Sequence, residues 1–476
     1  MNASALQLIP ALHGIEIENI VIDSREVRAG DVFIALSQPD YANNGFNGDF
    51  EDATRYVAGS FENGAVACVV RPDRFEERRT ELESYADRLI FVEDAVKALQ
   101  DLARGVYQEW NRPVVAITGS AGKTTAKELT AAVLESSGRK VLRNIKNYNN
   151  GLGHPLTVLN LAQDESYDAA VLEMGMSTPM NEIRRLCSIT PPDVAVVLNV
   201  LPVHVEHLGS IENVAAAKRE IVEGMKNGAT AVLNADDPRV REMSAAAKGP
   251  VFFFGLDESA DVRAENISFP RFGETRFVLV TPAGRAEVNF PLNGKHNIMN
   301  ALAAAAVGHC FGMPPGLVAS ALEKAVPPPQ RGELMRFAEG FTVINDSYNS
   351  NPDALISMVR TLVDGGPASG RKIVVAGEML ELGGESAEIH RRTGREIGAS
   401  GIDILIGVRG DAEYLVEGAR EGGLDSVGFA ADSEAAGLLV ADQVCSGDVV
   451  LVKGSRGVRT EKVIDKLLER FDLEKE

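Results

Sequence analysis

The residues best suited to chemistry lie in one run, Thr118-Gly119-Ser120-Ala121-Gly122-Lys123-Thr124-Thr125. Gly119 and Gly122 allow backbone N–H groups to turn inward on an anion. A helix starting here adds the positive end of its dipole, and Lys123 reaches toward terminal phosphates. The Thr124 hydroxyl is placed to ligate Mg2+, with Thr125 beside it. Val114-Val115-Ala116-Ile117 before the loop predicts a strand, and Ala126 to Ser136 after it predicts a helix. Strand, glycine-rich turn and helix form the context of a phosphate loop. The spacing T-G-x-x-G-K-T-T is a shorter subtype of G-x-x-x-x-G-K-[ST].

These residues need a scaffold, and the chain is long enough for one of several domains. At roughly 150 residues per domain, 476 residues suggest about three. Residues 1 to 112 hold short strands and helices and end in a helix over Ala95 to Trp110. Pro113 marks a boundary, because the residue before a proline is pushed out of helix. From 113 to 326, apolar strands such as Val194-Ala195-Val196-Val197-Leu198 alternate with helices, the pattern of a parallel sheet covered on both faces. Within this block, 251 to 291 reads as antiparallel hairpins, with turns at Phe272-Gly273 and Ala283-Gly284, and a helix follows from Asn297 to Phe311. After Pro327-Pro328-Pro329, residues 327–476 alternate strand and helix again: Phe341 to Asn345, Lys372 to Ala376, Ile404 to Val408, Val449 to Val452. The expected fold class is α/β in three domains: an N-terminal α/β domain, a central phosphate-loop parallel-sheet domain and a C-terminal Rossmann-like domain.

Composition narrows the class. Hydrophobic residues make up 45% and charged residues 24%, the ordinary globular range. Lys+Arg 48 against Asp+Glu 68 gives −20, which argues against coating nucleic acid or an anionic membrane. Cys68, Cys187, Cys310 and Cys445 are far apart, with no C-x-x-C spacing, so a reducing cytoplasm is expected. The N-terminus lacks a signal-peptide pattern, and the alanine-rich stretch from Ala301 reads as a buried helix, with no integral membrane contact. Locally the balance reverses. Between 113 and 160, Lys123, Lys127, Arg139, Lys140, Arg143 and Lys146 face only Glu128 and Glu135, or 6 − 2 = +4.

Further polar candidates follow the loop. Asn147-Tyr148-Asn149-Asn150-Gly151-Leu152-Gly153-His154-Pro155 offers donors and acceptors without charge. Val171-Leu172-Glu173 is a strand ending in a carboxylate, a hard ligand for Mg2+. His204 and His207 form an H-x-x-H, but no third soft ligand stands at metal spacing, which argues against zinc. Lys218, taken alone, reads as a solvated helix lysine at the start of a helix.

The short loop together with these segments resembles the Mur ligase family, ATP-dependent amide-forming enzymes of cell-wall synthesis, and the resemblance covers nearly the whole chain. It implies that Asn147, Asn149 and Asn150 line the substrate side. It implies one Mg2+ at Thr124 and Glu173, and a second at His204 and a carbamylated Lys218, whose amine must be neutral to take up CO2. Gly294-Lys295-His296-Asn297-Ile298-Met299-Asn300-Ala301 matches G-x-H-N-x-x-N-A, so Asn297 and Asn300 would contact the nucleotide from one helix face. Arg331 would reach the ATP phosphates, with Arg336 as a rival. Asn345-Asp346-Ser347-Tyr348-Asn349-Ser350-Asn351-Pro352 resembles the D-alanyl-D-alanine-adding branch. Asp346 would hold the ribose or base side, and Asn349 and Asn351 would lie near the dipeptide. Lys453, in Lys453-Gly454-Ser455-Arg456, would serve the dipeptide carboxylate or cap a helix. Asp23-Ser24-Arg25 is similar to the uridine-nucleotide domain, with Ser24 and Arg25 as contacts. The sequence departs from the family at Gly151, at His154 and at Gly48-Asp49-Phe50, and adds a stretch around Ala58 to Glu62.

The resemblance implies a reaction in which the tripeptide carboxylate of UDP-N-acetylmuramoyl-tripeptide attacks ATP. D-alanyl-D-alanine then displaces phosphate from the acyl phosphate. A monomer is expected. Two rivals remain: a sister ligase adding another amino acid, and a phosphate-loop NTPase that is no ligase.

Overall fold

The computed structural model describes residues 16–46, 50–145, 147–176, 181–202, 208–271, 273–365 and 370–474. Three sheets organise them. The first has four short parallel strands in the order Ile20–Val21, Val32–Ile34, Ala67–Val70, Leu89–Phe91. The helix Ala95–Trp110 follows them, capped by Asp94, whose side chain accepts from the Lys97 N–H. The stretch around Ala58 to Glu62 is mostly a helix, Val57–Glu62, which buries Val57, Ser60 and Phe61.

The second sheet has nine strands. From one edge they run Val141–Arg143, Ala169–Glu173, Val114–Thr118, Val194–Val197, Thr230–Asn234, Val251–Gly255, Val262–Arg271, Glu274–Thr281, Gly284–Phe290. The first seven are parallel and only the last two pairings are antiparallel. The antiparallel hairpins expected within 251 to 291 are present, Val262–Arg271 with Glu274–Thr281 and Glu274–Thr281 with Gly284–Phe290, whereas Val251–Gly255 and the start of Val262–Arg271 continue the parallel sheet before the chain reverses. The strand Val114–Thr118 is buried along its whole length, as a strand covered by helices on both faces must be. One cover is the helix Lys123–Glu135. The alanine-rich helix Lys295–Cys310 packs on it, close enough that a Cβ at Gly308 would lie 3.0 Å from Val133 Cγ1.

Register decides where chemistry can sit. Ile117 pairs with Glu173 on one side, and Thr118 with Val197 on the other. Chain order jumps across the central strand here, from Ala169–Glu173 to Val194–Val197. That jump is a topological switch point, where open α/β sheets leave a crevice at their carboxyl ends.

The third sheet runs Glu333–Arg336, Thr342–Asp346, Val449–Lys453, Lys372–Gly377, Ile404–Val408, Val427–Ala430, parallel except for its first pairing. Asp346 pairs with Lys453, so both stand at carboxyl ends of neighbouring strands. Among the described residues no helix is long and apolar enough to cross a membrane.

Candidate active site between the central and C-terminal sheets

The carboxyl ends of the second and third sheets border one cavity of about 640 Å3. The phosphate loop forms its floor. Gly122 has φ +82° and precedes the first residue of the helix Lys123–Glu135. A Cβ there would lie 2.5 Å from Asn300 Oδ1, so glycine is required both by the left-handed backbone and by the approach of Asn300. The loop is clamped from the next strand. The Ala121 N–H donates to Asn199 Oδ1 at 2.9 Å, Asn199 Nδ2 donates to the Ala121 carbonyl at 3.1 Å, and the Ser120 N–H donates to the Asn199 carbonyl. Lys123 Nζ folds back onto the Gly119 carbonyl at 2.8 Å. Desolvation in the cleft holds its ammonium below the ordinary value; Glu173 opposes this and Arg331 adds to it.

Glu173 is buried at the end of its strand. Its Oε2 accepts from the Thr124 hydroxyl at 2.8 Å and its Oε1 from Asn149 Nδ2 at 2.7 Å. Asn144 fixes its backbone, accepting from the Glu173 N–H at 2.6 Å. This is an all-oxygen donor set, suited to a hard cation that also takes phosphate oxygens. Among the described residues no three His, Cys, Asp or Glu side chains gather as a metal cluster. His204 and His207 lie outside the described residues.

Lys218 is buried in the middle of the helix Ile211–Glu223, not at its start, and it is not a solvated lysine. Burial first, and then the neighbouring Lys123 charge, push its amine down to about 7.

The asparagine segment divides. Asn147 and Asn149 line the cavity, whereas Asn150 turns its Oδ1 to the N–H groups of Leu152 and Gly153. His154 is a core residue. Its Nε2 meets Thr190 Oγ1 at 2.8 Å, and burial pushes it down to about 3. Gly151 leaves room for Phe46 of the N-terminal domain, since a Cβ there would lie 2.9 Å from the Phe46 ring.

The helix Lys295–Cys310 adds Asn297 and Asn300 beside the loop, and from the C-terminal sheet's side come Arg331, Asp346, Asn349 and Asn351. Asn297 is held by the Asn293 carbonyl at 2.8 Å. Asn351 Oδ1 accepts from the Ala354 N–H at 2.9 Å, a helix cap for Pro352–Gly365. Lys453 is buried, and its Nζ donates to Asp346 Oδ2 at 2.6 Å and to the Asn349 carbonyl at 2.8 Å. Its charge is spent on shaping the D-S-Y-N turn. Arg336 is exposed and absent from the cavity, which leaves Arg331 as the arginine on this wall. Ser24 and Arg25 are elsewhere, on the N-terminal domain. Arg25 closes on Asp23 with bonds of 2.9 and 2.6 Å and stays exposed.

Several cavity residues received no role from the sequence, among them Asn199, Asn234, His296 and Tyr348. His296 sits inside the matched Gly294–Ala301 segment and meets Ser357 Oγ at 3.2 Å across the cavity. Enclosure lowers its basicity, Asp346 opposes this and Lys453 adds to it. Tyr348 was legible as the aromatic of the D-S-Y-N turn. Asn199 and Asn234 carried no signal beyond following strands.

The local +4 also changes meaning. Lys127 is buried on the Asn144 carbonyl and Glu128, Arg143 pairs with Glu128 and Glu135, and Lys140 with Asp164. Lys146 lies outside the described residues. Among the described members of that group only Lys123 faces the cavity, where Arg331 joins it from 208 residues further along the chain.

A phosphate loop facing the strand ends of a second nucleotide-type sheet defines a phosphate-loop enzyme whose nucleotide cleft lies between two α/β domains. Residues 117–308 match the Mur ligase middle domain and 330–456 the Mur ligase, glutamate ligase domain. The chain is 34% identical over 460 residues to the UDP-N-acetylmuramoyl-tripeptide–D-alanyl-D-alanine ligase of Escherichia coli strain K12, covering 96% of this chain and 94% of the relative. Against the Bacillus subtilis strain 168 enzyme of the same name the identity is 32%, covering 95% and 93%. Crystal structures of MurF from Acinetobacter baumannii (TM-score 0.85, 28% identity, 98% of this chain and 99% of the other) and of MurF from Thermotoga maritima in complex with ADP (TM-score 0.81, 29%, 96% and 98%) share the fold. The chain belongs to the Mur ligase family, in its MurF branch, and is an ATP-dependent ligase.

Proposed function

We propose that this chain joins D-alanyl-D-alanine to UDP-N-acetylmuramoyl-tripeptide at the expense of ATP, giving the pentapeptide precursor of peptidoglycan, ADP and phosphate. The observation that carries this reading is the single cavity in which Lys123, Thr124 and Glu173 of one sheet face Arg331 and Asp346 of another, in a chain matched end to end by ligases of that name. A carboxylate is a poor electrophile and must be activated. A tripeptide carboxylate oxygen attacks the γ-phosphorus, the bond to the β–γ bridging oxygen breaks, and ADP departs. The dipeptide amine then attacks the acyl carbon, and phosphate leaves as the amide forms.

In this reading the chain supplies alignment and charge. The N–H groups of Gly122 and of the first turn of the helix Lys123–Glu135, with the positive end of its dipole, cradle the phosphates, while Asn199 holds the loop through Ser120 and Ala121. Lys123 is released from the Gly119 carbonyl to meet them, and their negative charge favours its ammonium form against the desolvation of the cleft. Arg331 neutralises from the opposite wall. Asn297 and Asn300 border the nucleotide, and Asp346 its ribose. Asn349 and Asn351 lie near the dipeptide, with Lys453 holding their loop. Ser24 and Arg25 take the uridine end of the other substrate. Residues 1–112, 113–326 and 327–476 then serve the UDP-substrate, ATP, and ATP with dipeptide respectively.

Thr124 and Glu173 fit one Mg2+, and His204 with a carbamate on Lys218 would hold a second. Bound Mg2+ neutralises developing charge on phosphate oxygens. The Lys218 reading is supported by its burial beside Lys123, which leaves a substantial neutral fraction at pH 7, as reaction with CO2 requires. A cytoplasmic monomer completes the proposal.

The test is product mass and ADP release with UDP-muramoyl-tripeptide and candidate amines. D-alanyl-D-alanine should give product. Product from single amino acids alone would move the chain to a sister activity, and phosphate release indifferent to both acceptors would make it a plain NTPase.

A further inference from the structure

The wall opposite the phosphate loop carries an arginine whose aim needs explaining. Arg331 forms no ion pair among the described residues, and it lies near enough to Lys123 to disfavour that ammonium. Its backbone is pinned. Gln330 takes φ +61° and Gly332 φ +74°, while the Tyr348 N–H donates to the Gln330 carbonyl at 3.2 Å and the Gly332 N–H to the Asn345 carbonyl at 2.9 Å. A left-handed glutamine costs free energy and persists only where its surroundings demand it. These bonds fix the Arg331 backbone but leave a long, rotamer-rich side chain free to swing.

One contact restricts that swing. The Arg331 guanidinium carbon lies 4.1 Å from the centroid of the Tyr348 ring, an aromatic of the same cavity. Arg456, paired with Glu461, stands 5.8 Å from the same centroid. We propose that Tyr348 is a positioning residue, whose ring holds the Arg331 guanidinium over the cavity facing Lys123. An arginine held by a π-face keeps its N–H donors free for phosphate oxygens, whereas a carboxylate partner would consume them. A guanidinium held in place before the anion arrives need not reorganise when charge moves in the reaction. The inference rests on the phosphate role proposed for Arg331.

The experiment compares Tyr348→Leu, Tyr348→Phe, Arg331→Ala and the double variant Arg331→Ala/Tyr348→Leu by ADP release with all substrates, alongside thermal melting. Tyr348→Leu should lower kcat about tenfold with a near wild-type melting temperature. Tyr348→Phe, which keeps the ring, should stay within about threefold of wild type. The double variant should be no slower than Arg331→Ala alone, because the ring acts only through that arginine. If Tyr348→Leu does not fold, Tyr348→Gln removes the same ring with a side chain that tolerates water. Tyr348→Phe as slow as Tyr348→Leu would overturn the inference, since the hydroxyl would then matter. Losses that multiply in the double variant, with Arg331→Ala itself slow, would overturn it while leaving the role of Arg331 standing. A fully active Arg331→Ala would remove both.

Discussion

Arg25 and Lys123 are both offered to anionic substrates, yet the structure treats them in opposite ways. Arg25 lies in the open on the N-terminal domain, 87% exposed, and already satisfied by Asp23 two residues away. Lys123 lies in a cleft, tied only to a carbonyl, with Arg331 nearby and Lys218 buried close behind. In water a charge pair is worth little and exchanges readily, so the first arrangement suits a contact made by substrate and relinquished with product. In a desolvated cleft unpaired cations are costly, and a polyanion arriving there relieves the cost. Under the proposed function, the N-terminal region would serve attachment and the cavity catalysis.

Variants can break this contrast. The largest effect expected is from Lys123→Ala, which should lower kcat by about 10²–10³-fold in ADP release with the fold intact. A change confined to KM would make Lys123 a mere attachment point. Next, Lys218→Met should abolish most activity and yet stabilise the protein near pH 6 in CO2-free buffer. The sign follows from an amine lowered from 10.5 to about 7. Below 7 the fold must bury an ammonium that the unfolded chain leaves in water. The cost fades as pH rises from about 7 toward 10.5, where both states are neutral. Melting curves across that range should therefore converge, and wild type more stable than Lys218→Met at pH 6 would refute the burial of a lysine that has no carboxylate partner among the described residues. Short carboxylic acids restoring activity to Lys218→Ala would support the carbamate.

A smaller effect belongs to the open region. Arg25→Ala should raise KM for the UDP-substrate about tenfold and leave kcat and KM for ATP nearly unchanged. A fall in kcat would erase the distinction between the two regions. The smallest effect lies outside both. His154 is held neutral to about pH 3, so wild type should lose stability as pH falls from 6.5 toward 3, when only the unfolded chain takes a proton. His154→Gln should remove that dependence, which costs wild type about 2 kcal/mol by pH 5, without changing ADP release at pH 7.5.

Much of this was legible along the chain because its signals are local. The strand before Thr118, the glycines of the loop and the helix after it lie within one short segment, and the strands Ile404–Val408 and Lys372–Gly377 announce themselves by unbroken apolar runs. Less local features misled. The hairpin reading of 251 to 291 missed that Val251–Gly255 pairs in parallel with Thr230–Asn234, since turn residues mark reversals but not neighbours. Lys218 looked solvated because its helix position gives no sign of what covers it. Lys453 read equally as a dipeptide contact or a helix cap; strand register sets it beside Asp346, at the edge of the cavity. The +4 segment looked like a basic floor until Lys127 and Arg143 found carboxylates within it and Lys140 found Asp164.

The sequence by itself determined the phosphate loop, the three α/β blocks and the family, because glycine conformation, apolar runs and short motifs act over a few residues. The tertiary structure alone decided which charges remain unpaired. Desolvation and Coulomb interactions depend on distance in space, and it was folding that brought Arg331, Tyr348 and Lys218 to Lys123 while sending Lys127, Lys140 and Arg143 to other partners.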